Sequence, residues 1–409
     1  MKKLVLIIGI SLFSSSFTNA QIETCDCKMD LDFIIEKIRK MPSYKKQIKG
    51  QNAEEFEKLY SDLSSKMNIP ISIESCYKML LQPMALINDI HASIKVNTEF
   101  LSNAIRKDKE KSQTFKTSKR FKSHPKFNKD LSLLKAELKK KLATEKEGIY
   151  LLGKHEKIGI YYDTNKKDFI GVLLESNLIH WELGEIRFYL KHTNGNKYNM
   201  YFYDIDTRTP RLVKSLSFEN GRIWSYKKQG NPFNNELLSE NIEVATFKQI
   251  NENTQYLYFA TFSNNKRREL KAFIEDTKTK LTADNIIIDL RSNNGGNSKY
   301  SDPFLKLLKD KNVYVITNCF TGSNGEQFTL KLLRNKKAIH LGQTTRGIIA
   351  YGMNYGYSYA TPSGHFEITP TDMNFHKYIA YEGKGIIPEV QLDFETDWIE
   401  QTLDIINSY

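Results

Sequence analysis

The chain has 409 residues, of which 40 % are hydrophobic and 12 % aromatic. It is long enough to bury the cores of two or three domains, and it is too rich in aromatic residues for a disordered chain. Its formal net charge of +12 would by itself favour a nucleic-acid or membrane-surface protein. Four cysteines in a chain of this length exclude a disulfide-scaffold protein.

The first twenty residues have the pattern of a secretory signal peptide. Two lysines precede an apolar run from Leu4 to Phe13, and the small residue Ala20 closes the segment. The run is shorter than the roughly 18 apolar residues of a membrane span, and no later part of the sequence approaches that length. We therefore expect residues 1–20 to be removed and the mature protein to work in the periplasm or outside the cell, without a stable membrane span.

Three cysteines follow within the next part of the chain. In an oxidising compartment either Cys25 or Cys27 can pair with Cys76, while free thiols fit the sequence equally well. A lipid on Cys25 is disfavoured because no small residue directly precedes it. Cys25 and Cys27 have no second ligand pair at the spacing of a zinc site. We expect neither a metal nor a cofactor.

The N-terminal third divides into a helical part and a basic part. In residues 21–105 apolar positions such as Phe33, Ile34 and Ile38 recur at helical spacing, which predicts a small helical domain. Residues 106–147 follow as a basic connector. Between Arg106 and Lys141 there are 14 Lys or Arg against four acids, so this segment holds +10 of the net charge. One helical period runs along its end: Leu131, Leu134, Leu138 and Leu142.

The basic segment lacks the aromatic residues expected of a nucleic-acid-binding segment. The basic segment contains few aromatic residues for stacking on bases, namely Phe115, Phe121 and Phe127. An exported protein also seldom meets nucleic acid. We therefore interpret the segment as a solvated connector and expect no nucleic-acid binding.

Residues 148–235 and residues 236–409 differ in their patterns of apolar residues and turn signals. The former holds short β-branched and aromatic runs separated by turn signals such as Asn220-Gly221, which predicts a β-rich middle domain of antiparallel strands. The latter alternates strands and helices, for example a strand over 256–262 and a helix over 266–280. Its apolar strands predict a parallel sheet covered by helices. The fold class is thus a multidomain α+β protein with a helical N-terminal domain, a β-rich middle and a C-terminal α/β core.

Two turns at strand ends in this core carry candidate chemistry. Gly295 and Gly296 end the turn after the strand at 286–290, and their N–H groups can approach a ligand unobstructed. Ser323 lies between small residues on the next strand-to-helix turn, as in a nucleophile elbow, and the N–H of Asn324 is a candidate oxyanion donor. On composition alone, a plain strand-to-helix turn is the favoured interpretation of the first segment and a helix N-cap serine that of the second.

Four motifs taken together resemble the tail-specific (C-terminal processing) and tricorn-core serine peptidases. They occur in order between about residues 250 and 395: D-L-R-x-N-x-G-G at 289–296, S-x-x-E at 323–326, G-x-x-T-x-G at 342–347, and G-x-x-P-[DE] at 385–389. The resemblance implies a crotonase/ClpP-like sheet in the core and a serine endopeptidase that acts on an extended peptide or protein.

The resemblance also discriminates between two catalytic branches. The Ser–Lys branch has a lysine directly after G-x-x-T-x-G, where this chain has Ile348. The tricorn-like branch uses a histidine from the helical domain and a glutamate near G-x-x-P. The resemblance therefore implies His91 as base, Ser323 as nucleophile and Glu382 as the carboxylate that orients His91 through a hydroxyl or a water.

Some features depart from the family pattern. Ala92 stands where a hydroxyl residue is expected after His91, and Asn324 and Gly325 replace other small residues of the serine turn. The middle region shows no carboxylate-binding loop of a PDZ-like module, so the resemblance does not extend to recognition of substrate C-termini. Among competing histidines, we expect His340 to be a packed strand residue and His365 a solvated hairpin residue.

Two alternatives stay open on the sequence. One is a non-catalytic peptide-binding protein on the same scaffold. The other is an α/β-hydrolase esterase, since residues 321–325 are one residue from G-x-S-x-G and are followed by Asp372 and His376. The glycine pair that ends 27 residues before Ser323 favours the peptidase. The oligomeric state is left undefined.

Overall fold

The computed structural model describes residues 24–238 and 243–408. The predicted signal peptide lies outside the described residues. Within those two ranges, no helix combines the length and the apolar character that a bilayer crossing requires.

The N-terminal region is mostly helical. Its elements are β1 (Thr24–Cys25), α1 (Cys27–Lys40), α2 (Pro42–Gln47), α3 (Gln51–Lys66), β2 (Ile71–Ser72), α4 (Ile73–Ala85) and β3 (Ser93–Val96). Asp26 and Ser72 cap α1 and α4 by accepting hydrogen bonds from backbone N–H groups of the first turn. A disulfide between Cys27 and Cys76 joins these two helices, which decides the pairing that the sequence left open.

The basic connector folds into short helices against the middle region. They are α5 (Asn103–Arg106), α6 (Lys109–Thr117), α7 (Lys119–Lys122) and α8 (Leu131–Leu138). Leu134 and Leu138 are buried, whereas Leu142 lies beyond the end of α8 and is 68 % exposed. The predicted apolar stripe is therefore wrong at Leu142, because the helix stops before reaching it. Lysines of this segment form surface ion pairs with glutamates of the middle region, such as Lys135 with Glu175 at 2.6 Å. Each such pair contributes little stability.

The middle region is a closed antiparallel barrel. Its strands are β4 (Gly148–Leu152), β5 (Glu156–Asp163), β6 (Asp168–Ser176), β7 (Ile186–Asn194), β8 (Lys197–Tyr203), β9 (Pro210–Glu219), β10 (Arg222–Ile223) and β11 (Tyr226–Lys228). They close in the order β10-β11-β4-β5-β6-β7-β8-β9. Aromatic and aliphatic side chains fill the interior, and closure leaves no exposed sheet edge.

The C-terminal region alternates strands and helices. It comprises β12 (Ala245–Asn251), β13 (Thr254–Phe259), α9 (Arg267–Thr277), β14 (Asn285–Asp289), α10 (Asp302–Leu307), β15 (Asn312–Thr317), α11 (Asn324–Leu332), β16 (Ala338–Gly342), β17 (Tyr351–Gly352), β18 (Tyr359–Ala360), β19 (Phe366–Thr369), β20 (Met373–Asn374), β21 (Val390–Gln391) and α12 (Trp398–Ser408), with 3₁₀ turns at Asn264–Lys266 and His376–Tyr381.

A six-stranded sheet organises this region, in the order β12-β13-β14-β15-β16-β21. Only the β12–β13 pair is antiparallel, and the other pairs in the sheet are parallel. Separate apolar clusters cover its two faces. Because β14 and β15 are parallel neighbours, the turns that follow them emerge at the same edge of the sheet. Strand β3 of the N-terminal region pairs with β19, which brings the segment that contains His91 to the core.

Candidate active site

Ser323 lies on the turn between β15 and α11, with φ 52° and ψ −123°. Residues other than glycine rarely adopt a positive φ, and such conformations concentrate at functional sites. Its backbone N–H donates hydrogen bonds to the carbonyl oxygen of Ile348 at 2.9 Å and to the carboxylate of Glu326 at 3.0 Å. The residue is partly exposed at the N-terminus of α11, whose dipole favours negative charge there. The turn therefore presents a serine at a site suited to a developing oxyanion.

Glu326 joins the serine turn to the G-x-x-T-x-G segment. Its fully buried carboxylate also accepts hydrogen bonds from the Thr345 hydroxyl at 2.5 Å and from the N–H groups of Gly347 and Ile348 at 2.7 and 2.9 Å. Burial raises the pKa of Glu326, and these hydrogen bonds oppose that rise. The sequence analysis identified Glu326 only as the last residue of the S-x-x-E motif. Nothing in the sequence indicated that its carboxylate binds four donors.

The glycine turn packs directly against Ser323. A Cβ on Gly295, whose φ is +97°, would lie 2.6 Å from the Cβ of Ser323 and 2.7 Å from the N of Asn324. Only glycine permits this approach. The N–H of Gly295 donates to the side-chain oxygen of Asn293 at 2.9 Å, so it is not free for a substrate.

Two other backbone N–H groups at this edge of the sheet are not engaged by the protein among the described residues. Gly296 is exposed, and within the described part of the chain neither its N–H nor that of Asn324 has a hydrogen-bond partner. Of the three candidates from the sequence, Gly296 and Asn324 therefore keep free donors. Gly295 instead provides the space that the turn needs.

His91 lies in the bend between α4 and β3. Its imidazole has no hydrogen-bond partner among the described residues, and its Nδ1 is buried. Burial lowers the pKa of His91 to about 4; the positive charges of Arg346 and Lys214 act in the same direction, and Asp89 opposes them. The imidazole is therefore neutral at neutral pH, which is the form that can accept a proton.

Glu382 binds the backbone on both sides of the site. One carboxylate oxygen accepts a hydrogen bond from the N–H of Ile90 at 2.8 Å. The other accepts from the N–H groups of Ile349 and Ala350, both at 2.8 Å. Burial raises the pKa of Glu382 to about 7, against the effect of these bonds. Glu382 thus holds the residue before His91, and no direct hydrogen bond joins it to the imidazole.

The segment 347–350 is the common support of the candidate triad. Ile348 binds Ser323, and the next residue, Ile349, binds Glu382, which in turn holds Ile90 beside His91. The structure brings these three elements together through the backbone. It contains no hydrogen bond between the Ser323 hydroxyl and the His91 imidazole, which the sequence-based triad anticipated.

The competing residues have other partners. His340 is buried in β16 with its Nε2 at 2.8 Å from the Thr317 hydroxyl, which confirms it as a packed strand residue. His365 is not simply solvated, because its Nδ1 lies 2.8 Å from the Thr98 hydroxyl. Asp372 accepts a hydrogen bond from the N–H of Asn354 in a loop.

One group of potential metal ligands occurs among residues 24–238 and 243–408. The sulfurs of Cys25, Cys27 and Cys76 lie within 4.8 Å of one another. Two of them form the disulfide and so cannot serve as thiolate ligands.

Comparison with known families gives one match. The model of peptidase family S41 matches residues 253–310, a range that contains the glycine turn and ends before Ser323. The match confirms, over this part of the chain, the resemblance to the tail-specific and tricorn-like serine peptidases, which are hydrolases. No curated protein sequence matches the chain.

Structural comparison matches the chain to solved structures of three different descriptions. A lipoprotein from Streptococcus agalactiae is 9 % identical, with 95 % of this chain and 98 % of that chain covered and a TM-score of 0.40. The photosystem II D1 C-terminal processing protease is 13 % identical, with 92 % and 96 % covered and a TM-score of 0.40. Mature CPAF is 11 % identical, with 93 % and 96 % covered and a TM-score of 0.44.

Proposed function

We propose that this protein is an exported serine endopeptidase that works through an acyl-enzyme on Ser323, with His91 as base. The observation that carries the proposal is the Ser323 turn. A partly exposed serine with φ 52° stands at a helix N-terminus. Among the described residues, the N–H of the next residue, Asn324, has no partner, and neither has that of Gly296 in the adjoining glycine turn. Acyl transfer needs these parts, a nucleophile and donors for the oxyanion.

In the proposed reaction the substrate binds as an extended strand beside the active-site sheet. The hydroxyl of Ser323 attacks the scissile carbonyl carbon while His91 takes its proton. The N–H groups of Gly296 and Asn324 stabilise the oxyanion of the tetrahedral intermediate. The C–N bond then breaks as His91 returns the proton to the leaving amine, and water hydrolyses the ester by the same steps.

The proposed role of Glu382 is to hold the segment of His91. Its hydrogen bonds to Ile90 and Ile349 tie the histidine segment to the one that binds Ser323. Catalytic hydrogen bonds often tighten only when substrate is bound. The neutral, unpartnered imidazole therefore fits a base that completes its contact with Ser323 in the substrate complex.

The proposed export rests on two observations. Residues 1–20 have the pattern of a signal peptide. The buried Cys27–Cys76 disulfide is typical of proteins that fold in an oxidising compartment. A crotonase/ClpP-like arrangement of the core likewise remains a prediction from the resemblance.

A fluorophosphonate probe, which labels activated serines, tests the mechanism. We expect labelling of the mature wild-type protein and its loss in both Ser323→Ala and His91→Ala. Ser292→Ala is the matched control, because Ser292 is an exposed serine with a positive φ of 61° on the neighbouring turn and should leave labelling intact. Labelling that persists in Ser323→Ala contradicts the mechanism.

A non-catalytic peptide-binding protein is the second candidate. It is favoured by the carboxylate of Glu382, whose two oxygens bind three backbone N–H groups and not the imidazole. In that case the wild type binds extended peptides but takes up no probe. The esterase alternative gains nothing from Asp372, whose carboxylate is engaged by the loop at Asn354.

A further inference from the structure

A β-bulge interrupts the barrel where it faces the candidate active site. In the pairing of β8 with β9, Tyr198 is opposite Leu216 and Met200 is opposite Val213. Lys214 and Ser215 therefore stand opposite a single residue, Asn199. Ser215 has a φ of 57°, and its N–H donates to the side-chain oxygen of Asn199 at 3.1 Å.

The bulge changes where two consecutive side chains point. In a regular strand Lys214 and Ser215 would project from opposite faces of the sheet, whereas a bulge breaks that alternation and re-aims a side chain. Here the Lys214 ammonium donates to the carbonyl oxygen of Asp89. The Ser215 hydroxyl donates to the carbonyl oxygen of Arg346 at 2.6 Å. Both groups thus bind the segments that carry His91 and G-x-x-T-x-G.

Two further barrel side chains bind the same region. The Lys197 ammonium donates to the carbonyl oxygen of Thr345 at 2.7 Å. The side-chain amide of Asn194 donates to the carbonyl oxygen of Gly383 at 3.0 Å. The barrel therefore contacts the segment of His91, the G-x-x-T-x-G segment and the segment of Glu382. The sequence indicated no chemistry in this middle region.

We propose that Lys214, presented by this bulge, is a positioning residue for His91. The inference rests on the proposed function of His91 as the base. The carboxylate of Asp89 binds the N–H of Ala92 and the hydroxyl of Thr371, and Glu382 binds the N–H of Ile90. The third contact that holds this segment is at the backbone carbonyl oxygen of Asp89, which accepts a hydrogen bond from the Lys214 ammonium of the barrel.

Lys214 also contributes charge beside the imidazole. The charged groups that face His91 are Asp89, Arg346 and Lys214, and both cations lower the pKa of His91. The carboxylate of Glu382 faces Lys214 in turn. Burial lowers the pKa of Lys214 itself, opposed by these two carboxylates. Loss of the Lys214 ammonium should therefore raise the pKa of His91, both by removing a positive charge and by loosening the segment that keeps the imidazole buried.

Lys228 offers a matched control within the barrel. The side chain of Lys228 is buried, and its ammonium, like that of Lys214, donates to backbone carbonyl oxygens, here those of Glu145 and Glu147, both at 2.7 Å. These carbonyls belong to the connector and not to the candidate site. Lys228→Met therefore reproduces the loss of a buried ammonium without touching the segment of His91.

The test is an NMR titration of the His91 imidazole in the full mature chain, with His91→Gln used to assign its signal. We expect the pKa of His91 to rise by about 1 or more in Lys214→Met, and to stay low in Lys214→Arg and Lys228→Met. Fluorophosphonate labelling of Ser323 should fall on the order of 10- to 100-fold in Lys214→Met and recover in Lys214→Arg.

The two proposals fail in different ways. An unchanged His91 titration and an unchanged labelling rate in folded Lys214→Met overturn the role of Lys214 while leaving the peptidase mechanism in place. Absent labelling of the wild type counts against the mechanism, yet the titration still decides whether Lys214 controls His91. If Lys214→Met does not fold, Lys214→Gln keeps an N–H donor without the charge, and the same rise in the pKa of His91 is expected.

Discussion

The carboxylate of Glu326 accepts a hydrogen bond from the backbone N–H of Ser323 at 3.0 Å. Through Thr345, Gly347 and Ile348 the same carboxylate binds the segment that lies across the turn. The conformation of the candidate nucleophile therefore depends on a buried acid three residues further along α11.

Replacing Glu326 with Gln should abolish probe labelling and destabilise the protein. The side-chain NH₂ group of Gln would face N–H donors, so two buried donors lose their acceptor at a cost of roughly 1–3 kcal/mol each. Urea unfolding and probe labelling measure the two effects. Glu269→Gln is the control, because Glu269 lies in the first turn of α9 with an exposed carboxylate. Normal labelling in Glu326→Gln contradicts this account.

Gly295→Ala should disable the site by displacing the serine turn. The new Cβ would lie 2.7 Å from the backbone N of Asn324, and backbone cannot yield as a flexible side chain can. We expect labelling to fall on the order of 100-fold. Gly364→Ala has the same kind of strain, with a φ of +73° but nothing within 4 Å of the added Cβ. It should cost about 1 kcal/mol and leave labelling unchanged.

The sequence predicted much of the core because its local patterns agree with the final fold. The helix expected over 266–280 spans Arg267–Thr277, and the strand expected over 256–262 spans Thr254–Phe259. Ser323 also lies on a strand-to-helix turn as predicted. In these cases periodicity, turn residues and burial all favour the same structure.

The features that the sequence did not reveal depend on contacts between distant residues. Closure of the barrel, the bulge at Lys214 and the hydrogen bond from Ile90 to Glu382 join segments far apart in the chain. Every residue except proline has a backbone N–H, so the type of the donating residue does not reveal such a hydrogen bond. The commitment of the Gly295 N–H to Asn293 was hidden for the same reason.

The pH dependence of labelling should report His91. As the proposed base, His91 must be neutral, and burial lowers its pKa to about 4. The labelling rate should therefore stay constant as the pH falls from 8 to about 5 and decrease to half near pH 4. An unperturbed histidine would give half the rate near pH 6.5. Circular dichroism at each pH confirms that the chain stays folded, and a midpoint near 6.5 contradicts the buried, neutral base.

Glu382 should make the protein less stable as the pH rises. Burial raises the pKa of Glu382 in the folded state to about 7 from an ordinary 4.5, so the folded state binds more protons than the unfolded state between these values. The stabilising contribution of this proton is present below pH 4.5 and is lost as the pH rises through 7, which amounts to roughly 2–3 kcal/mol between pH 5 and 8.

Urea unfolding of the wild type and of Glu382→Gln at pH 5 and pH 8 measures that contribution. Glutamine does not titrate, so Glu382→Gln lacks this loss of stability. Between pH 5 and pH 8 the free energy of unfolding of the wild type should therefore fall by roughly 2–3 kcal/mol relative to that of Glu382→Gln. An equal pH dependence in both proteins would mean that the three N–H donors, and not burial, determine the ionisation of Glu382.

The Cys27–Cys76 disulfide should stabilise the region that carries His91. It closes a loop across a sequence separation of 49 residues, and the lost entropy of the unfolded chain corresponds to about 4 kcal/mol. Cys76→Ser should lower the free energy of unfolding by about that amount in urea. Cys25→Ser is the control, since it replaces a buried cysteine beside Cys27 but leaves the disulfide intact. Because Cys76 lies on α4, which leads directly to His91, Cys76→Ser should also lower probe labelling, whereas equal stability of the two variants would contradict a structural role for the bond.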